Sequence, residues 1–451
     1  MFASDPLVTT FALMPWRRVS AQGGLWNLFA WFGRACDQAA GILVSPIIVA
    51  VFARSVQADP YRLSWLVVGF GLGWLIGAAI APLLQQVTVR IMPWIVGGYI
   101  VRTAAIVLMT FAVTDDQSNQ NQRFQSILIC YVAYAIATGI SRTAQARHVI
   151  VGAPHNLWDA RSLPASLGSA AVTAITALAM WSALSSSDLS WSASFGRIWI
   201  LASVALGVAT LAAIREGIEM PEIGVDSHRR PTQTDAHGRA SLSGASAFVV
   251  AGLAALTFVE VVAFLLLFDE FRRQTIYLRG GLAFFAAGWV IARLIWNPVR
   301  HMFGRVVIAQ AAVGCAAIGI IVATATPELS RATWFPDQIG NRSSAEVLIY
   351  IVGFLIGAGF SVQRMALADF FDSSSEGTRW TALTVSALAC LSPLIVGWAS
   401  GEFAKNWVLV GGIVLAMAVM ATLGLMPGTS PAYRSATASA APMRQALLPR
   451  Q

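Results

Sequence analysis

The sequence predicts an all-α membrane protein with twelve transmembrane helices in two six-helix bundles, and three observations predict it. Of the 451 residues, 57% are hydrophobic and only 12% are charged, whereas about a quarter of the residues in soluble domains are charged. Apolar runs recur along the whole chain, and a run of about 20 residues is enough to cross a bilayer. One long polar segment separates six of these runs from six others, which makes the chain polytopic.

The predicted spans follow one another through short loops. Their approximate ranges are 25–53, 64–87, 91–113, 125–145, 163–184 and 198–214 in the first half, and 245–268, 280–298, 306–324, 345–368, 380–400 and 407–426 in the second. The chain therefore divides into a cytoplasmic N-terminus (1–23), an N-terminal bundle (24–214), a cytoplasmic linker (215–244), a C-terminal bundle (245–426) and a disordered C-terminal tail (427–451). The linker is polar and cannot build a core of its own.

The distribution of charge predicts the orientation. The net charge of +8 comes from 30 basic and 22 acidic residues, and the basic residues are spread over short loops. With both termini and the linker in the cytoplasm, more basic residues lie inside than outside, as in most membrane proteins. The exception is the loop Asp269–Arg279, which places three arginines outside. We expect a monomer in the lipid bilayer of a bacterial inner membrane, with no nucleic-acid partner.

Small residues form a stripe on the second predicted span. Gly69, Gly73, Gly77 and Ala81 follow one another at intervals of four residues, which places them on one side of a helix. Small residues at this spacing let two helix backbones approach closely in lipid. The stripe therefore predicts a tightly packed neighbour.

The first span carries two charges, Arg34 and Asp37, within an otherwise apolar run. On insertion scales, each costs about 2.5–3.5 kcal/mol at the bilayer centre. A helix places residues three apart on one face, where these two can partly neutralise each other. Two interpretations stay open: an ion pair that only holds helices together, or a substrate or proton site at a polar cavity.

Three more charges lie inside predicted spans: Glu260 in the seventh, Arg102 in the third and Arg293 in the eighth. Apolar surroundings favour the neutral form of a carboxyl group, which makes Glu260 a candidate proton carrier. The alternative is that Glu260 is the partner of a buried arginine such as Arg293. For Arg102 we expect a structural pair with the first span. The excess of buried arginines over acids favours an anionic or polar ligand.

Further polar or aromatic side chains in the spans are candidates for lining a cavity. For the aromatic members the alternative is ordinary packing or a position at the membrane interface. The candidates are Gln38, Tyr134, Gln363, Trp74 and Trp289.

Enzymatic chemistry has no support in the sequence. The four cysteines lie in apolar runs without C-x-x-C spacing, and the five histidines lie in predicted loops. The sequence contains no phosphate-binding loop, nucleophile elbow or dinucleotide fingerprint. We expect a protein that is not an enzyme and that needs neither a metal nor a cofactor.

The segment between the eighth and ninth spans, NPVRHMFGR, resembles the G-x-L-x-D-R-x-G-R loop of the major facilitator superfamily. It runs from Asn297 to Arg305 and keeps Gly304 and Arg305, but His301 replaces the aspartate of the family. The equivalent loop of the first half keeps little beyond its terminal Arg90. In that family the loop forms a cytoplasmic charge latch between the halves, so the resemblance implies a weak or differently built latch here.

Two other segments are similar to the efflux branch of the same superfamily. One is the basic connection after the fourth span, SRTAQARHVIVGAPHNLWDARS, and the other is GTRWTALTVSALACLSPLIVGWASG in the eleventh span. The Gly-Pro motif of antiporters is missing from the fifth span.

The resemblance implies a secondary transporter that exports a small organic compound by alternating access, with protons as a candidate coupling ion. One alternative is a facilitator or importer of a polar or anionic solute, which complete pairing of Asp37 and Glu260 with arginines would favour. The other is a non-transporting scaffold or assembly factor with the same fold, which the degenerate motifs would fit.

Overall fold

A computed structural model of the chain describes residues 32–55, 62–80 with gaps, 92–114, 119–152, single positions between 171 and 182, 191–219, 243–271, 275–303, 305–372 and 404–425. Within these ranges, eight helical segments are long and apolar enough to cross a membrane, and two shorter apolar helices accompany them. The protein is therefore a mostly helical integral membrane protein.

The helices of the first half match predicted spans one to four and six. They are α1 (32–43), α2 (Pro46–Ser55), α3 (Val68–Gly77), α4 (Met92–Thr114), α5 (Gln120–Gly152) and α6 (Trp191–Glu219). The predicted fifth span lies largely outside the described residues.

The helices of the second half match predicted spans seven to ten and twelve. They are α7 (Ser243–Glu270), α8 (Thr275–Phe303), α9 (Arg305–Arg331), α10 (Ser344–Asp372) and α11 (Ala404–Leu425). The predicted eleventh span, the linker from residue 220 to 242 and both chain ends lie outside the described residues.

The first span is broken into α1 and α2 rather than continuous. Pro46 has no N–H to donate, so the helix restarts there with Pro46 in its first turn. The amide of Val49 then donates to the carbonyl of Ser45 at 3.1 Å. The Tyr131 hydroxyl of α5 donates to the Val44 carbonyl at 3.3 Å. A buried side chain thus satisfies a backbone acceptor at the break.

The predicted cytoplasmic loop between the eighth and ninth spans is shorter than expected. Helix α8 includes Asn297 and His301 and ends at Phe303, and α9 begins at Arg305. The apolar pattern ends at Pro298, but the helix continues beyond it, because hydropathy marks the edge of the membrane and not the end of the hydrogen-bonded backbone. Arg279 is likewise not in a loop, since it lies in α8 and is buried.

The glycine stripe of the second span packs against α5, and this prediction is confirmed. A Cβ placed on Gly73 would lie 2.9 Å from the Ala135 Cβ, and one on Gly77 would overlap the Ile136 carbonyl. The second half has a closer seam between α8 and α10. There, Cβ atoms on Gly288 and Gly357 would overlap the backbone carbonyls of Phe354 and Phe285.

A small β-hairpin connects α9 to α10 and departs from the all-helical prediction. Strands β1 (Gln338–Ile339) and β2 (Arg342–Ser343) pair antiparallel around a two-residue loop. The first loop residue is Gly340 with φ of 66°, the left-handed conformation that tight hairpin turns require. Arg342 of β2 forms an ion pair with Glu346 of α10.

The exposed surface of the helices is apolar, as expected for contact with lipid. Large hydrophobic side chains are exposed on several helices of both halves, among them Leu108, Phe111, Ile129, Val204, Leu211, Ile318, Val414 and Met417. Together with the helix lengths, this surface places the described helices in a bilayer.

Candidate functional site

A buried ion-pair cluster surrounds Asp37 in the first half. Arg102 of α4 donates from Nη1 to Oδ1 of Asp37 at 2.7 Å, and Nη2 of Arg142 of α5 lies 2.6 Å from Oδ2. The Asp37 side chain is only 2% exposed. Each carboxylate oxygen therefore has its own guanidinium partner, and these partners come from two other helices.

Two tyrosines complete the surroundings of Arg102. Its Nη2 donates to the Tyr134 hydroxyl at 3.2 Å. Its guanidinium also lies 5.1 Å from the ring centroid of Tyr134 and 5.5 Å from that of Tyr99, within the range of cation–π attraction. The structure thus shows the pairing of Arg102 with the first span that we expected, and Tyr134 contacts this arginine.

Close approach of α4 and α5 explains how this cluster forms. A Cβ on Gly98 would lie 2.6 Å from the Ser141 Cβ and 3.1 Å from the Ala137 carbonyl. Gly98 is one turn before Arg102, and Ser141 directly precedes Arg142. A glycine at this position therefore lets the two helices bring both arginines to Asp37.

Glu260 occupies a different environment in the second half. It is fully buried in α7, and neither carboxyl oxygen has a hydrogen-bond partner among the described residues. Its Oε1 lies against Gly359 of α10, where any Cβ would overlap it. Glu260 therefore fits into space that α10 leaves free, and the described contacts do not include the alternative pairing with Arg293.

Gln363 is the polar residue of α10 that faces Glu260. The Thr257 hydroxyl, one turn before Glu260 on α7, donates to the Gln363 Oε1 at 2.7 Å. The Gln363 Nε2 is buried without a hydrogen-bond partner in the described part of the chain. Thr257 thus orients an amide whose remaining donors are available to a neighbouring acceptor.

An ion pair connects the two halves. Nε of Arg54, at the end of α2, donates to Oδ1 of Asp269, near the end of α7, at 2.6 Å, and the two side chains are 24% and 23% exposed. A charged residue of the first span is therefore paired with one of the seventh.

The structure describes some of the remaining candidates and not others. Gln38 and Arg34 are half-buried in α1, whereas Trp289 is 2% exposed and packs edge-on against Phe285 with ring centroids 5.9 Å apart. Trp289 therefore packs against an aromatic neighbour in this structure. The backbones of Asn297, His301 and Arg305 are helical, while Trp74, Arg90 and Gly304 lie outside the described residues.

Two residues of these ion pairs are absent from the sequence-based candidates. Arg142 lies near the end of the predicted fourth span, whose apolar pattern stops at Gln145, although helix α5 continues to Gly152. Asp269 lies at the start of a predicted loop, but it binds Arg54, which is 215 residues away in the sequence. No spacing rule could have found that pair.

No family model matches the chain, and no curated protein matches its sequence. Solved structures do. The xylose transporter XylE from E. coli, in a partially occluded inward-open conformation, is similar with a TM-score of 0.61 and 13% identity over 89% of this chain and 98% of that one.

Two other structures give the same result. The nucleoside transporter NupG is similar with a TM-score of 0.57 and 10% identity, covering 88% of this chain and 99% of that one. A D-xylose-proton symporter is similar with a TM-score of 0.58 and 14% identity, covering 89% and 98%. At such low identity the likeness concerns the fold. The chain therefore has the fold of the major facilitator superfamily of membrane transporters.

Proposed function

We propose that the chain is a secondary transporter that moves a small organic solute by alternating access and couples this movement to protons through Glu260. The fold supports transport, since the similar structures are transporters of xylose and nucleosides, one of them a proton symporter. Export is the proposed direction, on the resemblance of the post-fourth-span connection and the eleventh span to the efflux branch.

The burial of Glu260 is the observation that carries the proton coupling. An ionised carboxylate without a partner in a protein interior costs several kcal/mol, and both oxygens of Glu260 lack one among the described residues. The carboxyl group is therefore neutral, and carries a proton, in this conformation. Access to water in another conformation would favour ionisation, so the same residue can bind and release a proton in one cycle.

Asp37 does not share this role. Two arginines hold its oxygens at 2.7 and 2.6 Å, and both favour the ionised form. A facilitator of a polar or anionic solute would be favoured if both Asp37 and Glu260 were paired with arginines. Asp37 is paired in this way, but Glu260 is not, among the described contacts, and for that reason we favour proton coupling.

The test compares Glu260→Gln with Glu270→Gln, a matched change at the end of the same helix, where Glu270 is exposed and binds Arg331. Proton flux into proteoliposomes is followed with a pH-sensitive dye under an imposed membrane potential. We expect Glu260→Gln to reduce the flux at least about tenfold and Glu270→Gln to leave it within about twofold, on the scale of a lost essential proton carrier.

A second measurement does not depend on the solute. Infrared difference spectra of the purified protein between acid and alkaline pH should contain a protonated-carboxyl band that disappears in Glu260→Gln only. Equal flux in both variants together with an unchanged band would reject Glu260 as the carrier. Transport of solute with no proton flux in the parent protein would instead indicate a facilitator.

A further inference from the structure

We propose that the arginine cluster around Asp37, formed by Arg34, Arg102 and Arg142, binds the carboxylate or phosphate group of an anionic solute. That the bound anion is also transported rests on the proposed function. Its binding does not require transport. Arg142 is the residue to which we assign direct contact with the anion.

The first argument is the balance of charge. Asp37 contributes one negative charge, and the buried Arg102 binds it at 2.7 Å. Arg142 binds the same carboxylate at 2.6 Å, so two guanidinium groups share one carboxylate. One positive charge on this pair of arginines therefore has no counter-charge within the triad.

The second argument is the exposure of Arg142. Its side chain is 37% exposed, whereas the side chains of Asp37 and Arg102 are 2% and 1% exposed. Asp37 is also the one ion-pair partner described for Arg142 among the residues that the structure covers. A guanidinium group has several N–H donors, so Arg142 can offer an anion those that it does not use on Asp37.

The third argument is the position of Arg34. It is half-buried in α1, three residues before Asp37 and thus on the same face of the helix. Arg34 also has other contacts. Its positive charge adds to that of Arg102 and Arg142 in the part of the first span that carries Asp37.

The geometry of arginine indicates the class of ligand. A planar guanidinium group matches the two oxygens of a carboxylate or phosphate and binds them with parallel hydrogen bonds. A neutral sugar or an organic cation would leave the positive charge uncompensated. The expected solute is therefore a small organic acid or a phosphorylated compound.

Equilibrium binding tests this inference without a gradient. The full chain is placed in phosphatidylcholine nanodiscs, and its thermal unfolding is measured with succinate, inorganic phosphate, neutral succinamide or sodium chloride at matched ionic strength. Because a ligand that binds the folded state stabilises it, we expect succinate or phosphate to raise the Tm by at least about 2 °C over chloride, with no effect of succinamide.

Three variants make the result specific. Arg142→Gln should abolish the shift and Arg142→Lys should reduce it, since lysine keeps the charge but not the planar fork. Arg123→Gln is the matched control: it lies on the same helix, about 28 Å away along the axis, and should keep the shift. The lysine variant also keeps the test decisive if Arg142→Gln does not fold.

Three outcomes would overturn the inference. The first is an equal anion effect in the parent and both Arg142 variants, and the second is no anion effect in the parent. The third is stabilisation by phosphatidylglycerol nanodiscs but not by soluble anions, which would identify a lipid headgroup as the ligand. Glu260→Gln should keep the anion shift, so loss of proton coupling and loss of anion binding are separate results.

Discussion

At the scale of single residues, the two acids of the spans have opposite surroundings. Asp37 has a guanidinium partner for each oxygen, whereas Glu260 has none among the described residues. The difference follows from the neighbouring helices: α4 and α5 present arginines to the first span, while α10 presents Gly359 and Gln363 to the seventh. The partners of Asp37 favour its ionised form, and the surroundings of Glu260 support the proton-carrier role that we propose for it.

The Asp37 cluster gives a prediction about stability. Arg102→Gln removes the buried guanidinium from the cluster and should lower the free energy of unfolding by about 3–5 kcal/mol, the usual cost of breaking a buried ion pair. Arg142→Gln should cost less, because the Arg142 side chain is more than a third exposed and water replaces part of its interaction.

Thermal unfolding of the two variants in detergent measures this difference, and Arg123→Gln serves as the control for removing an arginine from a helix of the first half. A larger loss for Arg142→Gln than for Arg102→Gln would mean that the exposed arginine, and not the buried one, holds Asp37 in place.

Sequence alone could identify Asp37 and Glu260, because an ionisable side chain in an apolar run is recognisable without a structure. It could not identify their surroundings. The partners of Asp37 lie 65 and 105 residues away along the chain, and their reach depends on how close Gly98 allows α4 and α5 to approach. Nor could spacing alone show whether Glu260 would pair with a buried arginine such as Arg293.

At the scale of helices, the apolar pattern predicted where spans lie but not where helices end. Helix α5 extends past Gln145, and α8 extends past Pro298 to Phe303. Polar residues beyond the membrane continue the backbone hydrogen bonds without any apolar signal. The hairpin at Gly340 was also missed, because its two-residue strands are too short to show alternation.

The seam between α8 and α10 gives a prediction for this scale. Gly357→Ala places a methyl group on the carbonyl of Phe285, so the two backbones must separate and lose contact along the seam. We expect a loss of about 2–4 kcal/mol in the free energy of unfolding, as for other overpacked core positions with backbone shifts.

Gly411→Ala is the matched control, because a Cβ at Gly411 of α11 meets nothing within 4 Å. Its stability should stay within about 1 kcal/mol of the parent or rise, since alanine favours a helix over glycine. Equal thermal unfolding of both variants would show that α8 and α10 can move apart at little cost.

At the scale of the whole molecule, the repeat of six spans, a polar linker and six spans was enough to predict the fold. The sequence motifs of the superfamily are degenerate here, and no family model matches, yet the fold is similar to XylE over 89% of the chain. The lengths of the helices follow from the thickness of the bilayer, and their order depends on few specific residues. This pattern is therefore recognisable even where the loop motifs are degenerate. The sequence did not indicate which helices would face each other across the two halves.

The ion pair between Arg54 and Asp269 predicts how the halves interact. Asp269→Arg places two positive charges together and should lower the Tm, and the exchange Arg54→Asp with Asp269→Arg should restore it. Because both side chains are about a quarter exposed, the coupling energy should be about 0.2–1 kcal/mol and should fall as salt is raised.

A double-mutant cycle at low and high salt measures this coupling, with Arg54→Gln and Asp269→Asn as the neutral members. A charge exchange that remains as unstable as the single reversal would show that the two residues are adjacent without holding the halves together.

The interruption at Ser45 and Pro46 has a consequence for how movement passes along the first span. On one side of it, α1 carries Asp37 and is joined to α4 and α5 by ion pairs; on the other side, α2 ends at Ser55 and contacts α7 of the opposite half through Arg54. The two helices thus contact different partners. Pro46 lies between them, where changes in the backbone dihedral angles can bend the span. If α2 tilts together with the C-terminal half, the span can bend at Pro46. Asp37 and its two arginine partners would then keep their positions.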